Sequence, residues 1–428
     1  MTPTAERLPP AIRVPDGMAL RASVLGTVVL ITAIAPLATD MYVPAFPLVG
    51  RDLGASATQV QLTLTTFFAG MALGQLAGGP VSDRVGRRRP LLVSLAVLAA
   101  ASVLCAFSPT VVVMMLARLG QGFSGGWAMV IARSIVVDLA SGARLVRAVN
   151  VVAGAAGIAP IAGPLLGAAI LRLSHWRVSF WVVAGLAVVM VAAVAAGVPE
   201  TLPASRRHGG ALAQLADSTG QVLRRRAFVG YLLVFAFSMG TIFAYVATSA
   251  FVLQSMNGLS PVVYSLDFAC NAVGLTVATL LAARLAGRVP TRMIVGVGLV
   301  ATGVAGVVLL IGAVWLGMPL PVALAGFFVL MSAQGLVGPN AGALASDVVP
   351  EHPGTGSALL GCVQWCMAGV IAPLAGLGGS RTAVPMAAIV AVLTAVSLLA
   401  LAVLARPRSR TPQPSRTPTR KELTRCVE

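Results

Sequence analysis

Long apolar runs broken by clusters of Arg, Pro and Gly organise the whole chain. Read for such breaks, the sequence predicts membrane spans over 22–48, 58–79, 90–108, 110–133, 147–170, 178–198, 227–251, 262–283, 292–315, 321–345, 355–376 and 383–405. Each is close to the roughly 20 apolar residues a helix needs to cross a bilayer. The longest internal break, 199–226, is rich in Pro, Arg and Gly and divides the spans six and six. Two features recur across it. Gly86-Arg87 after the second span is matched by Gly287-Arg288 after the eighth, and Gln121-Gly122-x-x-Gly125 in the fourth by Gln334-Gly335-x-x-Gly338 in the tenth. An internal repeat of this kind predicts two similar bundles. The expected organisation is an N-terminal tail (1–21), a first six-helix bundle (22–198), a central loop (199–226), a second bundle (227–405) and a disordered tail rich in Arg and Pro (406–428).

Composition agrees with an all-α integral membrane protein. Of 428 residues, 57% are hydrophobic and 10% charged, with a mean hydropathy of +0.92, whereas soluble domains carry about 25% charged residues. An added catalytic domain of about 100 to 150 residues would not fit beside twelve spans. The net charge of +17 has a topological explanation. Connections that would share a side with the N-terminus hold Arg84, Arg87, Arg88, Arg89, Arg144, Arg147, Arg206, Arg207, Arg224, Arg225, Arg226, Arg284, Arg288 and Arg292. The opposite side holds only Arg51, Arg172, Arg177 and Arg381. Positive charge gathers on the cytoplasmic side, so both termini are expected there and no nucleic-acid partner is needed. The five Cys are scattered, without metal-ligand spacing, so no metal site is expected. Lys421 is the only Lys, so no nucleotide-binding Gly-Lys-Ser/Thr loop exists and the expected energy source is a proton gradient, without a cofactor.

Ionised side chains deep in a bilayer cost at least about 2.5 kcal/mol and are candidates for function. Asp40, Arg118 and Asp267 fall inside spans, at depths that allow one shared layer. Asp40 and Arg118 are read as a proton-coupling pair, a carboxyl beside a guanidinium having a protonation state sensitive to small movements; a static ion pair that fixes helix packing is the other reading. Gln121 lies on the Arg118 face and either reaches the cavity or bridges helices. Asp267 is a second cavity carboxylate or an ordinary acid at headgroup depth. Tyr42, Tyr245, Asn271 and Asn340, with Phe46, Phe235, Met239 and Phe243, line a substrate site or pack helices. Pro160, Gly163, Pro164 and Gly167 in the fifth span predict a kinked helix of close approach, either a hinge sealing against the second bundle or ordinary small-residue packing. His175, His208 and His352 all fall in connections.

Three ordered motifs carry a family resemblance. Gly79-Pro-Val-Ser-Asp83-Arg84-Val-Gly86-Arg87-Arg88-Arg89-Pro90, between the second and third spans, resembles the loop signature of the major facilitator superfamily. Arg118-Leu-Gly-Gln121-Gly122 is similar to its proton-linked motif, and Pro160-Ile-Ala-Gly163-Pro164-Leu-Leu-Gly167 to its antiporter motif. Thr39-Asp40-Met41-Tyr42-Val43-Pro44, Pro199-Glu200-Thr201-Leu202-Pro203 and Pro339-Asn340-Ala341 resemble the Bcr/CflA drug exporters. The second half departs from the pattern at Arg284, which stands where the first has Asp83. The resemblance implies a monomeric proton antiporter of a bacterial cytoplasmic membrane that exports chloramphenicol- or bicyclomycin-like small molecules. Export of an endogenous metabolite, or proton symport for uptake, stays open as an alternative. It also implies a cytoplasmic gate in which Gly79, Asp83, Arg84 and Gly86 form the loop, Arg87 pairs with Asp138, and Asp83 meets the helix start at 353–356.

Overall fold

The computed structural model describes residues 20–204, 207, 218–351 and 353–405. The expected tails, apart from Leu20 and Arg21, lie outside the described residues, as do His208 and His352. Among the described residues there is no strand, and twelve helices are long and apolar enough to cross a membrane. They are α1 Ala22–Asp52, α2 Ala57–Val85, α3 Arg88–Ala106, α4 Val111–Leu139, α5 Arg147–Leu173, α6 Arg177–Gly197, α7 Arg226–Met256, α8 Pro261–Leu285, α9 Thr291–Trp315, α10 Leu320–Val348, α11 Gly354–Gly378 and α12 Val384–Val403. Large apolar side chains such as Val93, Val97, Val188 and Val300 remain exposed around the bundle, where lipid replaces water as solvent.

Several helices outrun the apolar stretches that announce them. The sequence predicts α2, α4 and α7 to end at 79, 133 and 251; they continue to Val85, Leu139 and Met256. The extra turns carry polar groups that find partners within the fold, Ser82 and Asp138 among them, so polarity does not end the helix. Side chains that accept from the first turn fix three starts: Ser56 with Gln59 at α2, Thr110 at α4 and Ser260 at α8.

α1 is broken. Its first helix ends at Asp40, passes through a tight turn over Val43–Ala45 and resumes at Phe46, because Pro44 and Pro47 have no N–H to give to the preceding turn. Elsewhere small residues set the spacing. A Cβ on Gly74 of α2 would lie 2.0 Å from the Phe123 carbonyl oxygen, and one on Gly122 of α4 would lie 2.0 Å from that of Phe67. The two backbones therefore touch. Gly335 of α10 meets Leu275 of α8 in the same way, at 2.2 Å, so the repeated Gln-Gly motif does the same packing in each half.

The halves meet along α2 against α11 and α5 against α8. With twelve crossings, residues 20 and 405 share one face, here the terminal face. At the opposite, far face the bundles are closed upon each other. Thr58 Oγ1 donates to the Gly376 carbonyl (3.0 Å), Gln61 Nε2 to Ala247 (2.9 Å) and Gln254 Nε2 to Pro44 (3.0 Å), beside the Phe46–Phe251 ring contact.

Candidate functional site

A cavity of about 310 Å³ lies between the bundles below this closure, lined among others by Asp40, Phe68, Arg133, Phe243, Tyr245 and Trp365. Arg133 is six residues from the terminal-face end of α4 and its side chain is exposed, so the cavity wall extends toward the terminal face.

Asp40 stands at the break of α1 and is 6% exposed. It accepts a hydrogen bond from Thr39 Oγ1 at 3.1 Å. Gly163 and Gly167 of α5 pack on this break: a Cβ on Gly163 would lie 2.8 Å from the Asp40 Cβ, and one on Gly167 would lie 2.3 Å from the Met41 carbonyl oxygen. The close approach of these glycines is thus to α1 in their own bundle, not to the second bundle. α5 does pack on α8, but through other residues; Gly154 and Gly157 have open space where a Cβ would be. Pro160 lines the cavity, and Pro164 lies inside the same helix.

Arg118 does not pair with Asp40. The Tyr42 N–H turns to the Thr39 carbonyl at 3.0 Å, which leaves the Ala38 carbonyl without its usual helical donor. Arg118 Nη1 supplies one at 3.1 Å and also donates to Gln121 Oε1 at 2.6 Å. Its guanidinium lies over the Phe67 ring, 4.2 Å from the centroid, with the Tyr42 ring at 5.2 Å. Arg118 is therefore fully buried structure under α1, and Asp40 is left without a cationic partner among the described residues.

The remaining sequence-selected residues divide. Tyr245 lines the cavity. Asn271 Nδ2 donates to the Tyr245 hydroxyl and to Asp267 Oδ2, both at 2.9 Å, so Asp267 reaches the cavity only through this relay. Tyr42 is packed inside the first bundle against Phe46 and Phe180, its hydroxyl bonded to Thr63. Gln121 bonds Ser102 of α3 through Nε2 (2.8 Å), and Gln334 bonds Thr302 of α9 (3.0 Å) and accepts from Ser238 of α7. Each glutamine braces its own bundle. Asn340 donates to the Leu336 carbonyl of its own helix. Tyr42, Gln121 and Asn340 are thus absent from the cavity wall, because hydropathy does not set the rotation of a helix that is apolar all round. Arg133, Phe68 and Trp365 are among the cavity residues that the sequence did not single out, as are Thr32, Met129 and Gln364; for Arg133 the signal was an arginine at the end of an apolar stretch.

At the terminal face, Gly86 takes a positive φ of 107° and turns the chain from α2 into α3. Arg87 Nη1 donates to Asp83 (2.5 Å) and Nε to Asp138 (3.1 Å), and Thr201 donates to Asp138 (2.9 Å). Asp83 thus sits on Arg87, and among the described residues it makes no hydrogen bond to the helix start at 354–356 in this far-face-closed state. A Cβ on Gly79 would meet nothing, and Arg84 is exposed. Glu200, which the sequence marks only as part of a resemblance motif and without a role, accepts from the Arg87, Leu202 and Arg88 amides at 2.7, 3.0 and 3.2 Å. Burial pushes its pKa up, but these amides and Arg207 outweigh it and hold the carboxyl below its usual range. Among the described residues no cluster of His, Cys, Asp or Glu could hold a metal.

The family model described as the Major Facilitator Superfamily matches residues 28–373 and 246–428. The chain belongs to that superfamily. It is a multi-pass membrane transporter, not an enzyme. Within the superfamily it is 34% identical over 381 residues to the uncharacterized MFS-type transporter YdgK of Bacillus subtilis, covering 89% of this chain and 94% of that one. It is 28% identical over 376 residues to a bicyclomycin resistance protein homolog of Haemophilus influenzae, covering 87% and 94%. In structure it is similar to a D-xylose-proton symporter, with a TM-score of 0.70, 16% identity and coverage of 90% and 98%. That likeness is one of fold.

Proposed function

We propose that this transporter is a proton-coupled antiporter that exports small, largely apolar drugs or antibiotics across a bacterial cytoplasmic membrane, as a monomer and without a cofactor. The observation that carries the reading is Asp40: a buried carboxyl with no cationic partner among the described residues, at a helix break, on the wall of the central cavity. Such a group holds a proton in one surrounding and releases it in another. The Arg-rich terminal face is then cytoplasmic. The cavity takes substrate from that side while Asp40 gives up its proton, and rocking of the bundles carries the substrate out and exposes Asp40 to external protons. The bicyclomycin resistance homolog among the relatives supports a drug as cargo.

The test is accumulation of chloramphenicol and of tetraphenylphosphonium in efflux-deficient bacteria carrying the chain, its Asp40→Asn variant or neither, with and without an uncoupler. Lower accumulation that both the uncoupler and Asp40→Asn abolish, at equal protein level, supports proton-driven export. Export that Asp40→Asn leaves intact removes Asp40 as the proton carrier. If neither compound moves, drug export gives way to metabolite export or uptake.

A further inference from the structure

Arg133 has no part in that cycle. It lies on α4 about 9 Å from the terminal-face end of the helix, counting about 1.5 Å per residue. It lines the cavity and is exposed to it. Among the described residues it makes no hydrogen bond and no ion pair, so its five N–H donors are available to whatever enters. At the end of the apolar stretch of α4 the charge is tolerated, and with no protein partner among the described residues the guanidinium is left to meet what enters the cavity.

The wall it shares has a second feature. Phe68 of α2, Phe243 of α7 and Trp365 of α11 form a ring cluster, with centroids 4.7 Å apart for Phe68–Phe243, 5.8 Å for Phe68–Trp365 and 5.9 Å for Phe243–Trp365. All three line the cavity, and they come from both bundles. The lining holds one base, Arg133, and one acid, Asp40, and these two are not paired. A cavity of about 310 Å³ is within the size range of small-molecule sites.

We propose that the preferred substrate is an aromatic organic anion, its ring packed on Phe68, Phe243 and Trp365 and its acid group held by Arg133. This rests on the reading of the cavity as the substrate site and narrows its cargo. The planar guanidinium fork fits the oxygens of a carboxylate, sulfonate or phosphate, often with two parallel hydrogen bonds. A neutral guest would fill the aromatic wall and leave the fork unused. One anion leaving for one proton entering also moves two charges across the membrane, where a neutral guest moves one.

The experiment is equilibrium dialysis of the full chain, purified in detergent, with radiolabelled naphthalene-2-sulfonate and its neutral analogue naphthalene-2-sulfonamide. Wild type, Arg133→Gln and Arg133→Lys are compared, each shown monodisperse by size exclusion. The expected result is that Arg133→Gln weakens sulfonate binding about tenfold, about 1.4 kcal/mol. Sulfonamide binding stays within about twofold, and Arg133→Lys falls between. Sulfonate binding unchanged in Arg133→Gln, an equal loss of both compounds, or no binding of sulfonate by wild type would overturn the assignment. Binding needs no gradient, so failure of proton-driven efflux would sink the antiport reading and leave this result standing. Proton-driven chloramphenicol efflux without a preference for the sulfonate would sink only the anion.

Discussion

Gly163 lies against Asp40 so closely that a methyl group on it would come within 2.8 Å of the Asp40 Cβ. That contact is to the root of the side chain, which cannot swing away. Gly163→Ala is therefore expected to displace the α1 break and lower transport at least several-fold, since overpacking of this kind costs about 1 to 3 kcal/mol. Gly154→Ala, where a Cβ meets nothing within 4 Å and the cavity lining is not touched, serves as the control and keeps at least half the activity. Equal transport by both variants at equal expression would show that the close packing on Asp40 does not matter.

Arg118→Met should destabilise the first bundle. It removes the donor to the Ala38 carbonyl and to Gln121, and the loss of hydrogen bonds from a charged donor costs about 1.5 to 3 kcal/mol. Arg118→Lys keeps the charge but cannot serve both acceptors in the same plane, so its melting temperature in detergent is expected between those of wild type and Arg118→Met. A variant that melts with wild type yet does not transport would assign Arg118 to the coupling chemistry instead.

The Arg87–Asp138 contact is testable as a cycle. The side chains are 9% and 20% exposed, and breaking one partner leaves the other largely buried with fewer partners, Arg87 with Asp83 as its carboxylate and Asp138 with the Thr201 hydroxyl. Asp138→Asn and Arg87→Gln should each lower the melting temperature. The double variant should lose less than the sum, with a coupling of about 0.5 to 3 kcal/mol. Strict additivity would mean that the pair contributes nothing beyond its separate contacts.

Glu200 gives a dependence on pH whose sign follows from its lowered pKa. Its ordinary value is 4.5, and the folded chain holds it lower, so its stabilisation is present in full above that value. It is lost as pH falls through the folded-state pKa. Thermal scans of the purified chain from pH 6 downward should show a loss of stability below about pH 4.5 that Glu200→Gln, already deprived of the charge, does not share. Parallel curves for the two proteins would contradict the contact.

Much of the architecture was readable from the chain alone, for reasons of scale. A span is a sum over some twenty residues, so single polar positions do not hide it, and the Gln-Gly repeat located two helices that pack alike at Gly122 and Gly335. The site was less readable because it depends on single rotations and single breaks. The partner of Arg118 is a carbonyl freed only because the Tyr42 amide turns to Thr39, and no spacing in the sequence announces that. The apolar stretch of the fourth span ends at Arg133 because hydropathy falls there, although α4 continues for six more residues. The cavity aromatics Phe68 and Trp365 look in sequence like any other apolar positions.

The far-face closure has an energetic scale of its own. Three side-chain hydrogen bonds join the bundles there, from Thr58, Gln61 and Gln254, and each neutral bond has a net strength of about 0.5 to 1.5 kcal/mol. Separating them calls for about 1.5 to 4.5 kcal/mol. One elementary charge falling through 100 mV releases about 2.3 kcal/mol. The three bonds together are thus comparable in size to the work of carrying one or two elementary charges across such a potential, so a charge that moves with the bundles is enough to shift the balance between closed and open.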